Sequence, residues 1–234
     1  MPRAKGAAGR RRTLIGVDDQ AFLTALTTEH FGLQGSRAST VSESGSRSAM
    51  YLGSVTSGLV TLGFVQVTGQ EELFRVFALV VLPTLFALGV FTFIRLVELS
   101  IEDILYGRAI NRIRHYYREL AGDRAHYFVL GDNDDAIGVL HNMGLHPSPA
   151  QLYFTASSAI ATVNSVVGGT AIGFAVGIAL DAPLGVAVAA GAVFAVASFA
   201  LHMHLGRRRH ISAVEIEPLN PTPPEQRDAA RKRS

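Results

Sequence analysis

The chain has 234 residues, 48% hydrophobic and only 17% charged, with a mean hydropathy of +0.27 and a formal net charge of +2. That balance belongs to membrane proteins rather than soluble domains. The lack of cysteine excludes disulfides, thiolate metal sites and cysteine nucleophiles. The pI near 9.1 comes from arginines set beside apolar runs instead of gathered on one basic face, which argues for membrane topology and against nucleic acid.

Residues 1–17 read as a basic, disordered tail. Val17, Asp18 and Asp19 stand where a signal peptide would carry its apolar core, so no cleavable signal is expected. Asp18 resembles a helix N-cap, and Phe22, Leu26 and Leu33 give an apolar stripe up to Gly35. Gly35 to Ser48 is rich in small residues, with Arg37, Glu43 and Arg47 spaced as on a closely packed helix, so 18–48 reads as a helical region entering the first span.

Four runs are long enough to cross a bilayer at about 20 residues each. The first, 49–67, is bounded by Arg47 and Gln70-Glu71-Glu72; the second, 74–94, contains Pro83, where a kink is expected. Together they make a hairpin over 49–94. The third and fourth, 154–180 and 184–205, form a second hairpin turned by Asp181-Ala182-Pro183. Seven basic residues precede the first span, six lie between the second and third, seven follow the fourth, and Arg75 stands alone on the other side. Basic loops stay in the cytosol, so the chain is expected to cross a bacterial cytoplasmic membrane with both termini in the cytosol. The expected fold is all-α: a polytopic membrane protein with four transmembrane helices and long cytosolic helical extensions.

Residues 95–153 read as a cytosolic arm and a small insert. From Arg95 to Leu120 there is no proline, and Leu99, Tyr106, Ile110, Ile113, Tyr117 and Leu120 recur at a seven-residue rhythm. That stripe predicts a helical partner, either the amino-terminal region or the arm of another copy. In the insert, Asp132 or Asn133 is a candidate cap for a short helix through Asn142 ended by Gly144, and Ser148-Pro149-Ala150-Gln151 reads as a capping box. Four prolines between 218 and 224 make 206–234 read as a disordered tail.

Within the spans, Gly169, Gly173 and Gly177 form two overlapping G-x-x-x-G units, a close-packing face toward either the fourth span or a neighbouring subunit. Asn164, with Ser165 and Thr162, is the most polar point in the hydrocarbon; an interhelical hydrogen bond is the commoner role and a pore lining the functional one. No Asp, Glu, Lys or Arg lies near mid-membrane, which disfavours ion-coupled pumping but not a passive pore. Arg95, Glu98 and Glu102 share one helical face at the expected cytosolic mouth; Arg95 can pair with Glu98, leaving Glu102 and Asp103 as excess charge. Asp132-Asn133-Asp134-Asp135 opens like a calcium loop, but Gly138 is one place late and Met143 stands where the bidentate Glu belongs. His202 and His204, two apart on a helix, point in different directions and make no metal site. His115, Tyr116 and Tyr117 have no nucleophile motif beside them. No catalytic constellation, cofactor or metal is therefore expected.

The stretches 31–62 and 77–117, above all Glu102-Asp103-Ile104-Leu105-Tyr106-Gly107-Arg108-Ala109-Ile110-Asn111-Arg112-Ile113-Arg114-His115-Tyr116-Tyr117, resemble a group of uncharacterised actinobacterial membrane proteins. That resemblance implies fold and cytoplasmic-membrane location. A two-span hairpin flanked by long cytosolic helices is also similar in architecture to the SLATT and Pycsar-type membrane effectors of bacterial defence, in which an oligomer disrupts the membrane. This chain departs from them by two further spans and by lacking a nucleotide-sensing domain. The expected function is that of a non-enzymatic homo-oligomer in the lipid bilayer, channel-like or membrane-perturbing, its cytosolic arms bundled through a seam of Tyr106, Ile110, Ile113, Tyr117 and Leu120 and its spans packed through the glycine face. A scaffold anchoring a cytosolic partner, or a small-solute transporter, is the alternative.

Overall fold

The computed structural model describes residues 5–145, 155–213 and 217–227, without the side chains of 5–17 and 211–213. Among these residues the chain is helical with no strand, and four helices are long and apolar enough to cross a membrane. They are α1 (Lys5–Val67), α2 (Glu71–Ala121), α4 (Ala156–Ala179) and α5 (Leu184–Ala213); α3 (Ala136–Asn142) is a short helix in the insert.

At 1.5 Å per residue, the 63 residues of α1 and 51 of α2 reach about 95 and about 77 Å, two to three times a bilayer core. Both therefore combine an apolar span with an arm, and both arms leave the same end of the bundle. Their hairpin turns through Gly69 at φ +71, a left-handed conformation that favours glycine. Helix α2 runs unbroken through Pro83. The second hairpin turns at Asp181, whose φ is +46.

The packing is a row. Helix α1 lies on α2, α2 on α4 and α4 on α5, while contact between α1 and α4 is slight. The core runs along this row through Tyr51 and Val55 of α1, Leu82, Phe93 and Leu96 of α2, and Ile160 and Val167 of α4. A row, unlike a closed ring, encloses no axis, so α1 keeps one long face outward. α1 is the least buried of the long helices together with α5.

Several expectations are corrected. Asp18 is not an N-cap, because α1 starts at Lys5 and runs straight through it; 1–17 is helical from Lys5 onward rather than a disordered tail. The cap of α3 is neither Asp132 nor Asn133 but Asp135, whose Oδ1 accepts the Gly138 N–H at 2.8 Å. The Ser148–Gln151 box lies outside the described residues; α4 begins with its own box, Thr155 with Ser158. The tail is not uniformly disordered either: α5 continues to Ala213, and residues 217–227 fold back against the insert.

The stripe on the arm, expected as a seam between copies, is instead largely occupied within the chain. Ile110 and Ile113 are buried, and Tyr106 and Tyr117 half-buried. Tyr117 donates its hydroxyl proton to Thr27 Oγ1 at 3.2 Å and meets the His30 ring edge-on, while Tyr116 meets Phe22. At Gly107 a Cβ would strike Val139 of α3 and approach Arg37 of α1, so the arm is clasped from two sides. Of the stripe, Leu120 alone is exposed.

Candidate functional site

Three polar clusters stand along the helix row. The first lies inside the spans. Asn164 is fully buried on α4, and its Oδ1 accepts a hydrogen bond from the Tyr51 hydroxyl of α1 at 3.0 Å. The bond passes directly over Gly89 of α2, where any Cβ would collide with the Asn164 side chain and come within 2.7 Å of the Tyr51 oxygen. Thus a glycine on the central helix lets side chains from α1 and α4 meet. The Asn164 Nδ2 is buried without a partner, a costly condition in an apolar interior. Beside it, Ser165 donates to Ser198 of α5 at 3.3 Å, and His202 Nδ1 lies 2.7 Å from the Ser198 carbonyl with its ring edge against Phe93. Thr162 takes no part: it is exposed on the outer face and donates to the Ser158 carbonyl.

Gly169 and Gly173 face α5 of the same chain. A Cβ on Gly169 would lie 2.5 Å from the Gly191 carbonyl oxygen, and one on Gly173 3.0 Å from that of Ala187; Gly177 has looser contact, at 3.7 Å from the Ala187 Cβ. This face thus packs α4 on α5 of the same chain, with Gly173 and Gly177 left half-exposed. On their outer side a shallow apolar groove of about 590 Å³ runs past Val166, Phe174 and Val188.

The second cluster lies at the arm end. Arg95 grips Glu43 with two bonds, at 3.0 and 3.1 Å, and reaches Glu102 at 2.9 Å and Glu98 at 3.5 Å. Glu43 also takes Arg47 at 2.7 Å, Glu98 takes Arg209 of α5 at 3.2 Å, and Asp103 pairs with Arg37 at 2.8 Å. The expected excess charge on Glu102 and Asp103 is therefore neutralised within the chain. Hydrogen bonds from Arg95 and then Arg47 hold Glu43 down to about 2. A carboxyl lowered on folding contributes stability above its ordinary range, near 4.3, which is lost as the pH falls toward 2. We expect acid to loosen α1 from α2 in that window. In Arg95→Gln the transition should shift up toward pH 4, as followed by the tyrosine circular dichroism; an unshifted transition would show that Arg95 does not hold the pair.

The third cluster seats residues 217–227. Asp134 is fully buried and accepts the Arg112 Nε at 2.8 Å and the backbone N–H groups of Leu219 and Asn220 at 3.0 and 2.8 Å. Asp135 accepts the Thr222 N–H at 2.9 Å, the Thr222 hydroxyl at 2.6 Å and Arg227 at 3.1 Å. Burial opposes their ionisation, but these hydrogen bonds and the arginines hold both carboxyls below the usual range. The Asp132–Asp135 run, which opens like a calcium loop, thus spends its carboxylates on the chain's own donors. Among the described residues no group of three His, Cys, Asp or Glu side chains could hold a metal ion.

No family model matches the chain, and neither does any curated protein or solved structure.

The residue types foretold Asn164 and the glycines. Glu43, Tyr51, Gly89, Asp134 and Asp135 were not singled out as partners. Only the spacing of Arg37, Glu43 and Arg47 hinted at a packed face, and nothing in one chain pairs Tyr51 with a residue 113 positions away.

Proposed function

We propose that this chain works as a homo-oligomer in a bacterial cytoplasmic membrane, with both termini in the cytosol, joined through the outward face of α1 and acting as a channel-like or membrane-perturbing element. The observation that carries this reading is the composition of that face. Gly32, Gly35, Ser39, Ser42, Ser46, Ala49, Gly53, Thr56, Val60 and Gly63 alternate in steps of three and four, and every one is exposed. This is the period of a left-handed helix pair, with side chains small enough for close approach.

Two further properties set the face apart from a solvated one. Between Glu29 and Glu71 the only charges on α1 are Arg37, Glu43 and Arg47, and all three are engaged in ion pairs, two of them with α2. A helix surface meant for water ordinarily carries charge outward. Glycine also costs a helix about 1 kcal/mol against alanine, yet a Cβ at Gly32, Gly35, Gly53 or Gly63 would meet nothing within 4 Å. At Gly58 of α1, as in α4 and α2, a neighbour's close approach explains that cost; at Gly32, Gly35, Gly53 and Gly63 the chain supplies no such neighbour, which supports a partner outside it.

Copies inserted with one orientation are related by an axis along the membrane normal, so each α1 runs parallel to the next and like residues meet. A pair packs this face shut. Three or more copies place hydroxyls and glycines around an axis, the lining of a passive pore. The filled helix row supports a pathway between subunits rather than through one.

The chain has no cysteine, so single cysteines report cleanly. Disulfides between like residues are expected at 39, 42, 46 and 53 and not at the exposed flanking positions 41, 45 and 52. Gly53→Leu, which has open space in the monomer, should dissociate the particle in native mass spectrometry and abolish conductance in planar bilayers. A monomeric wild-type particle, or cross-links without the period, would sink this reading and leave the scaffold.

A further inference from the structure

We propose that residues 217–227 are a releasable strap that ties the end of α5 to the arm of α2, with the seat at Asp134 and Asp135 as its catch. The seat is built for one extended segment. Its two adjacent carboxylates take successive donors: Asp134 holds the N–H groups of Leu219 and Asn220, and Asp135 holds the N–H and hydroxyl of Thr222. Seat donors answer the segment's carbonyls. Arg112 Nη2 reaches Glu217 O at 3.0 Å, the Asp134 N–H reaches Asn220 O at 3.1 Å, and Asn133 Nδ2 reaches Pro221 O at 3.3 Å.

The other end of the tie is equally defined. Near the close of α5, Arg209 pairs with Glu98 and His210 lies 3.1 Å from Ser100 Oγ, both on α2. Three residues, 214–216, separate the end of α5 from the strap. The seat is rooted in the arm in turn, because Arg108 donates to the Asp134 carbonyl at 2.8 Å and Asn111 to that of Asn133 at 2.7 Å. The strap is thus seated on the insert, and the insert on the arm, each through its own set of bonds.

The bonding explains why the strap can leave. Its one large apolar side chain, Leu219, is 73% exposed, so hydrogen bonds carry the hold and no apolar anchor does. The bonds to the two carboxylates and the Arg227 pair with Asp135 are charge-assisted, yet each replaces an interaction with water, and their net is set against the entropy of ordering the segment. Prolines 218, 221, 223 and 224 lower that entropy cost. A segment so balanced opens locally, well below the threshold of global unfolding. Thr222 is the vulnerable point: its side chain is buried and both of its donors land on Asp135. A negative charge there would face Asp135 and eject the segment.

Hydrogen exchange of the full chain in nanodiscs tests this. The amides of Leu219, Asn220 and Thr222 should be protected, yet exchange at least a hundredfold faster than those of Ile110 and Ile113 in the arm. Thr222→Val and Asp135→Asn should each speed them at least tenfold; Leu219→Ala, which keeps the bonded N–H, should not. In a second experiment, spin labels on cysteines at Glu225 and Leu120 should give one narrow distance that broadens in Thr222→Glu. Unprotected amides in the native chain, protection equal to the arm, or a narrow distance in Thr222→Glu would each overturn the strap. Distances appearing only between singly labelled chains would do so too, since the tie would then join two copies.

Discussion

Gly89→Ala should destabilise the solubilised protein by about 3 kcal/mol, the upper end of overpacking costs, and lower its midpoint of thermal unfolding by roughly 6–12 °C. The added methyl has nowhere to go. It would overlap the Asn164 side chain and press on the Tyr51 hydroxyl, and both are fixed by their own helices. Relief requires α2 to withdraw from α1 and α4 together, although it packs tightly against each. The clash also breaks the bond between Tyr51 and Asn164, leaving two buried polar groups unsatisfied at about 1–3 kcal/mol.

The cause can be separated from a general intolerance at position 89. Asn164→Ala alone removes the Tyr51 partner and should destabilise by about 1–2 kcal/mol. Combined with Gly89→Ala it opens the space that the methyl needs, so the double variant should be more stable than Gly89→Ala alone. Groups in direct contact couple in this way, whereas distant ones add. Strict additivity in the cycle, read from thermal melts in one detergent, would mean that Asn164 is not what excludes a side chain at 89.

The second large effect is expected between α4 and α5. Gly169→Leu should cost about 3 kcal/mol or more, because even a Cβ there lies 2.5 Å from the Gly191 carbonyl oxygen and 2.9 Å from the Ala195 Cβ. Backbone, unlike a flexible side chain, cannot turn aside. In a bilayer, which offers no hydrophobic drive to hold two helices together, close backbone packing would be most of what joins them. Gly177→Ala is the internal comparison. Its new methyl would sit at ordinary contact, 3.7 Å from the Ala187 Cβ, and the gain in helix propensity should leave the protein unchanged or slightly more stable. Equal losses at 169 and 177 would show that the interface is looser than its geometry.

These effects also say what Asn164 does. It is fully buried and bonded to Tyr51, which favours the interhelical role over a pore lining. Polar residues that do face outward in the spans, such as Thr56 and Thr61 of α1, Thr84 of α2 and Thr162 and Thr170 of α4, have their hydroxyls satisfied by their own helices.

The sequence by itself determined the helical class, the four apolar spans and the helical continuation of the second span, because these rest on hydrophobic run length and on the lack of helix breakers. It also marked Gly169, Gly173 and Asn164 as packing points, since glycine spacing and an amide in hydrocarbon are informative in isolation. Only the tertiary structure decided their partners: that the glycines meet α5 of the same chain, that Asn164 bonds Tyr51 across Gly89, and that the arm's stripe is largely taken up within the chain. It also decided that the proline-rich tail is seated, and the reason is physical. Run length and periodicity are local, whereas the bonds from 219–222 to Asp134 and Asp135 span more than eighty residues. A polar, proline-rich segment reads as disordered until the two carboxylates that receive its N–H groups are brought beside it.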